Sequence, residues 1–136
     1  MSADLAVQRA VRAHLTAAAA VTALVPATSI LDRHARPAPD PSIIIGEGQT
    51  IEGGDIARKV QRVIMDLHVW KKEPSTAGAK AIAGAVRAAL HSGRLVLDAP
   101  YHCGDCRVPH MRYLRDPDGE TSHAVVTIET LVSEGA

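Results

Sequence analysis

Between Lys59 and Lys71 the chain alternates with a period of two: Val63, Met65, Leu67 and Val69 fall on one face, and Arg62, Asp66 and His68 on the other. A strand of this kind has to sit in a sheet that is wet on one side and covered on the other, so the rest of the chain must supply both flanking strands and a covering layer. The cover is legible. From Ser2, a possible N-cap, to about Thr16, Val7, Val11, Leu15 and Ala18 recur at helical spacing, with Asp4 in the first turn. A second short helical turn runs through Val21 and Leu24 and is stopped by Pro26, which disfavours helical backbone in the residue before it. A third helix, capped by Ser75 or Thr76 and ending before Gly93, places Ala79, Ile82, Val86, Ala89 and Leu90 on one stripe, expected to pack on Val63, Met65 and Leu67.

The flanking strands are shorter signals. Ile43, Ile44 and Ile45 form a β-branched run after a proline-rich surface connector, Asp32 to Pro41. Gly46, Gly48, Gly53 and Gly54 then punctuate a polar stretch with Glu47, Glu52 and Asp55, which reads as a mobile loop or hairpin arm up to Arg58. A short strand is expected at Arg94 to Leu97, then a loop containing Cys103 and Cys106, then a strand from Val108 to Arg115. The turn Asp116-Pro117-Asp118-Gly119 joins it to a final strand, Ser122 to Val132, as an antiparallel hairpin. The 136 residues suit one domain, 1–136. The fold class is α+β: a mainly antiparallel sheet of about four to five strands with two to three helices packed on one face.

Charge and aromatic content narrow the function. Fifteen basic residues balance fifteen acidic ones, and the aromatics are Trp70, Tyr101 and Tyr113, with no Phe. Tight sequence-independent nucleic-acid binding draws on surplus Lys and Arg, and single-strand binding adds aromatic platforms; this chain has neither. No apolar run approaches the ~20 residues that span a bilayer, and Asp4, Arg9 and Arg12 interrupt the start where a secretory signal would be apolar. The expectation is synthesis and function in the cytosol, with no membrane partner.

Chemistry-bearing motifs are sparse. Cys103 and Cys106 with His110, and His91 as a fourth, have the residue types of a tetrahedral zinc site, but His102 directly precedes Cys103, so in an extended chain their side chains point apart. Structural zinc sites usually show two paired ligand sets, and the favoured reading is a pair of free or reversibly oxidised thiols in a loop. A redox pair needs a strand-to-helix junction, whereas strand follows Cys106. A nucleobase deaminase needs an upstream His-x-Glu, which this sequence lacks. The seven histidines come with no Gly-x-Ser-x-Gly or His-Glu-x-x-His, and the glycines at 46 and 48 with no Lys-Ser or Lys-Thr. Asp66 and Glu129 read as solvated strand residues rather than a catalytic pair. No catalytic residue and no cofactor is assigned.

The order of features carries more than any single motif. Leu24-Val25, Ile30-Leu31-Asp32, the strand Pro41 to Glu47, Val63 to Trp70, the helix Ala79 to Leu90, and Tyr113 to Gly119 before Ser122 to Val126 follow one another along almost the whole chain. That succession resembles the tail-completion (tail terminator) family of long-tailed phages and gene transfer agents, and in particular its gene transfer agent members. The resemblance implies a non-enzymatic particle subunit at the head-tail junction, forming a homohexameric ring that caps the tail tube, stops its growth and docks the head connector. Its partners would be further copies of itself, the major tail tube protein, the connector or stopper, and DNA passing through without sequence-specific binding. Alternatives are another head-tail joining protein, such as a stopper or head-completion adaptor, or a small zinc-binding module. A chain of this length has a radius of gyration near ~14 Å, so six copies enclose a hole of about one subunit diameter. A neutral surface suits a conduit that must not hold the DNA. The interface candidates are Gly46, Glu47, Glu52, Asp55 and Arg58, together with the exposed sheet edges. The Cys103 and Cys106 loop lies outside the family pattern.

Overall fold

A computed structural model describes residues 1–33, 35, 37–91 and 94–135. Helix α1 (Ala3–Ala17) is followed by the single turn α2 (Ala19–Thr22), a 3-10 turn at Ala27–Ser29, and strands β1 (Ile30–Leu31), β2 (Ser42–Glu52) and β3 (Val60–Lys72). Helix α3 (Ala77–His91) then leads to β4 (Tyr101–Arg115) and β5 (Thr121–Glu134). Among the described residues the strands form one sheet in the order β1-β2-β3-β5-β4, antiparallel except for the β1-β2 pair. This is the α+β class expected. No described helix is long and apolar enough to cross a membrane.

The central strand behaves as its alternation requires: Val63, Met65, Leu67 and Val69 are buried, and their neighbours along β3 are not. Against that face α1 buries Val7, Val11 and Leu15, and α3 buries Ala79, Ile82, Ala83, Val86 and Leu90, in a core shared with Ile43, Val126 and Ile128. Ser2 occupies the N-cap of α1 without a side-chain bond, whereas the Ser75 hydroxyl accepts from the Ala77 amide at 3.1 Å ahead of α3. The C-terminal glycine expected for α3, Gly93, lies outside the described residues. Helix α3 sits chiefly over β5 and β4, and less over β3 than expected, because β5 lies between β3 and β4 in the sheet. The buried Ser122 hydroxyl ties it there, 2.9 and 2.8 Å from the carbonyl oxygens of Glu73 and Ser75.

Three expectations need correction. Arg94–Leu97 is not a strand: Leu95 is buried but Val96 is exposed, and the segment pairs with no neighbour. The loop expected around Cys103 and Cys106 is instead the first half of β4, paired with β5 from Tyr101↔Glu134 onward. Gly104 and Pro109 look like breakers, yet each falls where the β4-β5 register shifts, and β4 is an edge strand, which tolerates both. Finally, the glycine-punctuated stretch after Ile45 remains strand as far as Glu52. Its glycines answer to crowding: a Cβ on Gly46 would lie 2.6 Å from the His68 ring, and one on Gly48 would lie 2.9 Å from the Ile64 carbonyl oxygen. Only the Gly53-to-Lys59 segment is a connection.

Ile82 is 2% exposed. Ile82→Ala should cost about 2 to 5 kcal/mol, as core truncations of this size do, read as a fall in the thermal midpoint; Lys80→Ala, two residues away on the exposed side of α3, should shift it little.

Candidate functional site

The possible zinc ligands are divided by the sheet. Directly paired residues share a face, so Cys106 opposite Thr130 looks into the core, while His110 opposite Thr127 looks out of it. Cys103 packs at the edge of the core, on the same side as Cys106 because a bulge intervenes. The nearest described role of His91 is different, its Nδ1 accepting from the Val108 amide at 3.4 Å. Among the described residues no three His, Cys, Asp or Glu side chains are grouped to hold a metal. Both cysteines are free. Burial pushes the Cys106 thiol up to about 11, against the smaller opposing effect of the Thr130 hydroxyl, which donates to Sγ at 3.7 Å.

The open face of the sheet is organised more tightly than a merely solvated surface. Cross-strand pairing sets Trp70 opposite His123 and His68 opposite Val125. The Trp70 and His123 rings stack with centroids 3.8 Å apart and planes 10° from parallel, and His68 lies 2.8 Å from His123 through Nδ1 and Nε2. The other nitrogen of His68 meets Glu47 Oε1 at 2.5 Å. Burial, with His68 alongside, lowers His123 from the usual 6.5 to about 4, so it is neutral at pH 7. Bonding to His68 holds the Glu47 carboxyl below its ordinary value.

Further along the same face, Thr127 donates to Asp66 at 2.5 Å, and Glu129 accepts from Arg62 at 2.8 Å and Arg107 at 3.0 Å. Burial would raise Glu129, but the two guanidinium groups outweigh it and its pKa falls. Asp66 and Glu129 are thus each engaged by a neighbour of their own and do not face one another across a cleft. The alternation of β3 and β5 revealed which side these residues occupy; the stack itself depends on register, which no local pattern encodes.

The five interface candidates fall into two groups. Gly46 and Glu47 lie where the β2-β3 register shifts, beside a groove of about 640 Å³ lined also by Gln8, Asp32, Arg33, Ile44, Ile45, His68 and Trp70. Glu52, Asp55 and Arg58 lie at the far end of the same hairpin. There Asp55 accepts from the Lys59 amide at 2.8 Å and the Val60 amide at 3.2 Å, which holds its pKa below the ordinary value, and Gln61 donates to Glu52 at 3.2 Å.

The family model described as "Tail completion protein gp17" matches residues 9–133, nearly the entire chain. The chain belongs to the tail completion protein gp17 family. Two solved structures are similar to this chain. A chain of the virion of a native gene transfer agent particle aligns with TM-score 0.85 at 24% identity, over 99% of this chain and 100% of that one. The bacteriophage SPP1 gp17 protein aligns with TM-score 0.64 at 21% identity, over 94% and 89% respectively. At these identities the likeness is one of fold. Among curated proteins, none matches the chain.

A thiol reagent should modify Cys103 in the native state and Cys106 only on unfolding, so titration should rise from one reacting thiol to two when denaturant is added. The depressed His123 pKa works against the folded state in acid. Between pH 6.5 and about 4 the unfolded chain binds a proton that the folded chain refuses, so stability present above 6.5 is lost through that window; the Glu47 and Glu129 contributions are lost only below about 4.5. The thermal midpoint should therefore decline from pH 7 to 5, and His123→Gln should flatten the decline.

Proposed function

We propose that the protein is a structural subunit rather than an enzyme. It is a single domain of residues 1–136 that forms a homohexameric ring capping the finished tail tube, ends tube polymerisation and joins the tail to the head connector. The family match over residues 9–133 carries this reading, since it spans all the described strands but the last residue of β5, with α2, α3 and the second half of α1, rather than a fragment. Full coverage of a chain from a gene transfer agent virion is in keeping with it. The partners are further copies, the major tail tube protein and the connector or stopper, all met at the head-tail junction of a particle assembled in the host cytoplasm.

The charge supports a conduit. Fifteen basic and fifteen acidic residues leave little net attraction for a phosphate backbone, so DNA can slide through the ring without being held. Contacts between subunits fall to the β2-β3 hairpin and the β1-β2 edge. The opposite edge, β4, is interrupted by two register shifts and by Pro109, and its outward-facing residues include Arg107 and Arg112, so it offers a poor continuous ladder to a neighbour.

Deleting the gene in a particle-producing strain tests the proposal. A terminator should leave DNA-filled heads unjoined and let overlong tubes accumulate, whereas loss of a stopper should leave tails of normal length. Electron micrographs of normal-length tails attached to heads would exclude the assignment.

A further inference from the structure

At the tip of the β2-β3 hairpin, Ile56 is entirely open to solvent, at 101% of its reference exposure. The turn that presents it is closely bonded: besides the Asp55 bonds to the Lys59 and Val60 amides, the Gly53 amide donates to the Val60 carbonyl at 2.8 Å and the Arg58 amide to the Asp55 carbonyl at 3.1 Å. Arg58 takes a positive φ of 56°, a conformation uncommon outside glycine, to close it. A large aliphatic side chain displayed on a pre-formed turn is costly in water and pays little ordering entropy on being covered. Arg58 and Lys59 stand beside it, while the Asp55 and Glu52 carboxylates are turned back onto the Lys59 and Val60 amides and onto Gln61.

The groove at the other end of the hairpin has the complementary character. Ile44 and Trp70 give it an apolar floor, and the exposed carboxylates of Asp32 and Glu47 stand at its rim, with Arg33 beside them. Its volume of about 640 Å³ admits a side chain together with part of the turn that bears it. From Glu52 back to Ile44 the strand runs roughly 25 Å at about 3.3 Å per residue, so a subunit's own Ile56 cannot reach its own groove. A second copy's can.

We infer that Ile56 of one subunit seats in the groove of the next copy against Ile44 and Trp70, with Arg58 and Lys59 facing Asp32 and Glu47. Because knob and groove are different surfaces of the same chain, the contact is head-to-tail, the type that generates a ring when its rotation closes. It assigns Glu52, Asp55 and Arg58 to one side of the joint and Gly46 and Glu47 to the other. The inference rests on the ring proposed above.

The test uses a particle-producing strain lacking the native gene, complemented by variants. Ile56→Asp should keep the wild-type thermal midpoint, since the side chain touches nothing in the subunit, yet yield at least ten-fold fewer joined particles. In a Cys103→Ser background, Ile56→Cys combined with Asp32→Cys, or with Gln8→Cys as an independent second pair, should give under mild oxidation a ladder of cross-linked copies ending in one closed species and collapsing to monomer in reductant. Each single cysteine should give dimers at most. Full complementation by Ile56→Asp, absence of a ladder from both pairs in joined particles, or cross-linking of Ile56→Cys to a different particle protein would each overturn the inference. If instead the deletion itself leaves normally joined tails, the ring proposal fails first, which separates the two.

Discussion

The pairing of β3 with β5 is the constraint from which the remainder of the molecule follows. It runs without a shift from Val60↔Ser133 to Lys72↔Thr121, while both outer pairings, β2 on β3 and β4 on β5, carry bulges. An uninterrupted register fixes at one stroke which side chains lie beneath the helices and which lie opposite, because a slip of one residue would exchange the two faces. Leu67 beside Val126 and Met65 beside Ile128 then give α3 its floor, and Ser122, brought to the start of α3 by the same register, anchors it.

The opposite side of that ladder is ordered through polar groups instead of apolar ones. Trp70, His123, His68 and Glu47 form one bonded run, and Arg62, Glu129 and Arg107 form another. Exposed pairs of this kind add little stability. Their effect is to hold long side chains in fixed places, including Glu47 at the groove's rim and His68 against the bare backbone of Gly46. Side chains held in this way have little further freedom to lose.

Much of this was legible in the sequence, for reasons that differ by element. The faces of β3, the stripes of α1 and α3 and the Asp116-to-Gly119 turn were readable because each depends on local periodicity or turn chemistry. What failed was the reading of glycine. Gly46, Gly48 and Gly104 punctuate a sequence as loops do, but here they mark close approach or bulges within strands, and only the neighbouring strand reveals which. The two-residue β1 was too short for any pattern. Among the candidate residues, Cys103, Cys106, His91 and His110 were close in composition to a metal site, but His110 lies on the opposite face of the sheet from the two cysteines, whereas the His68 and His123 contact could not be seen until the register joined residues far apart in the chain.

The irregular β4 edge bears on the subunit's existence before it meets any partner. A regular outer strand is a template on which identical strands add indefinitely, and a protein synthesised in many copies is exposed to that hazard from the moment it folds. The bulges at Gly104 and around Pro109 deny the template its even spacing of donors and acceptors. The β4 edge therefore resists the indiscriminate strand-on-strand adhesion that an even ladder would invite.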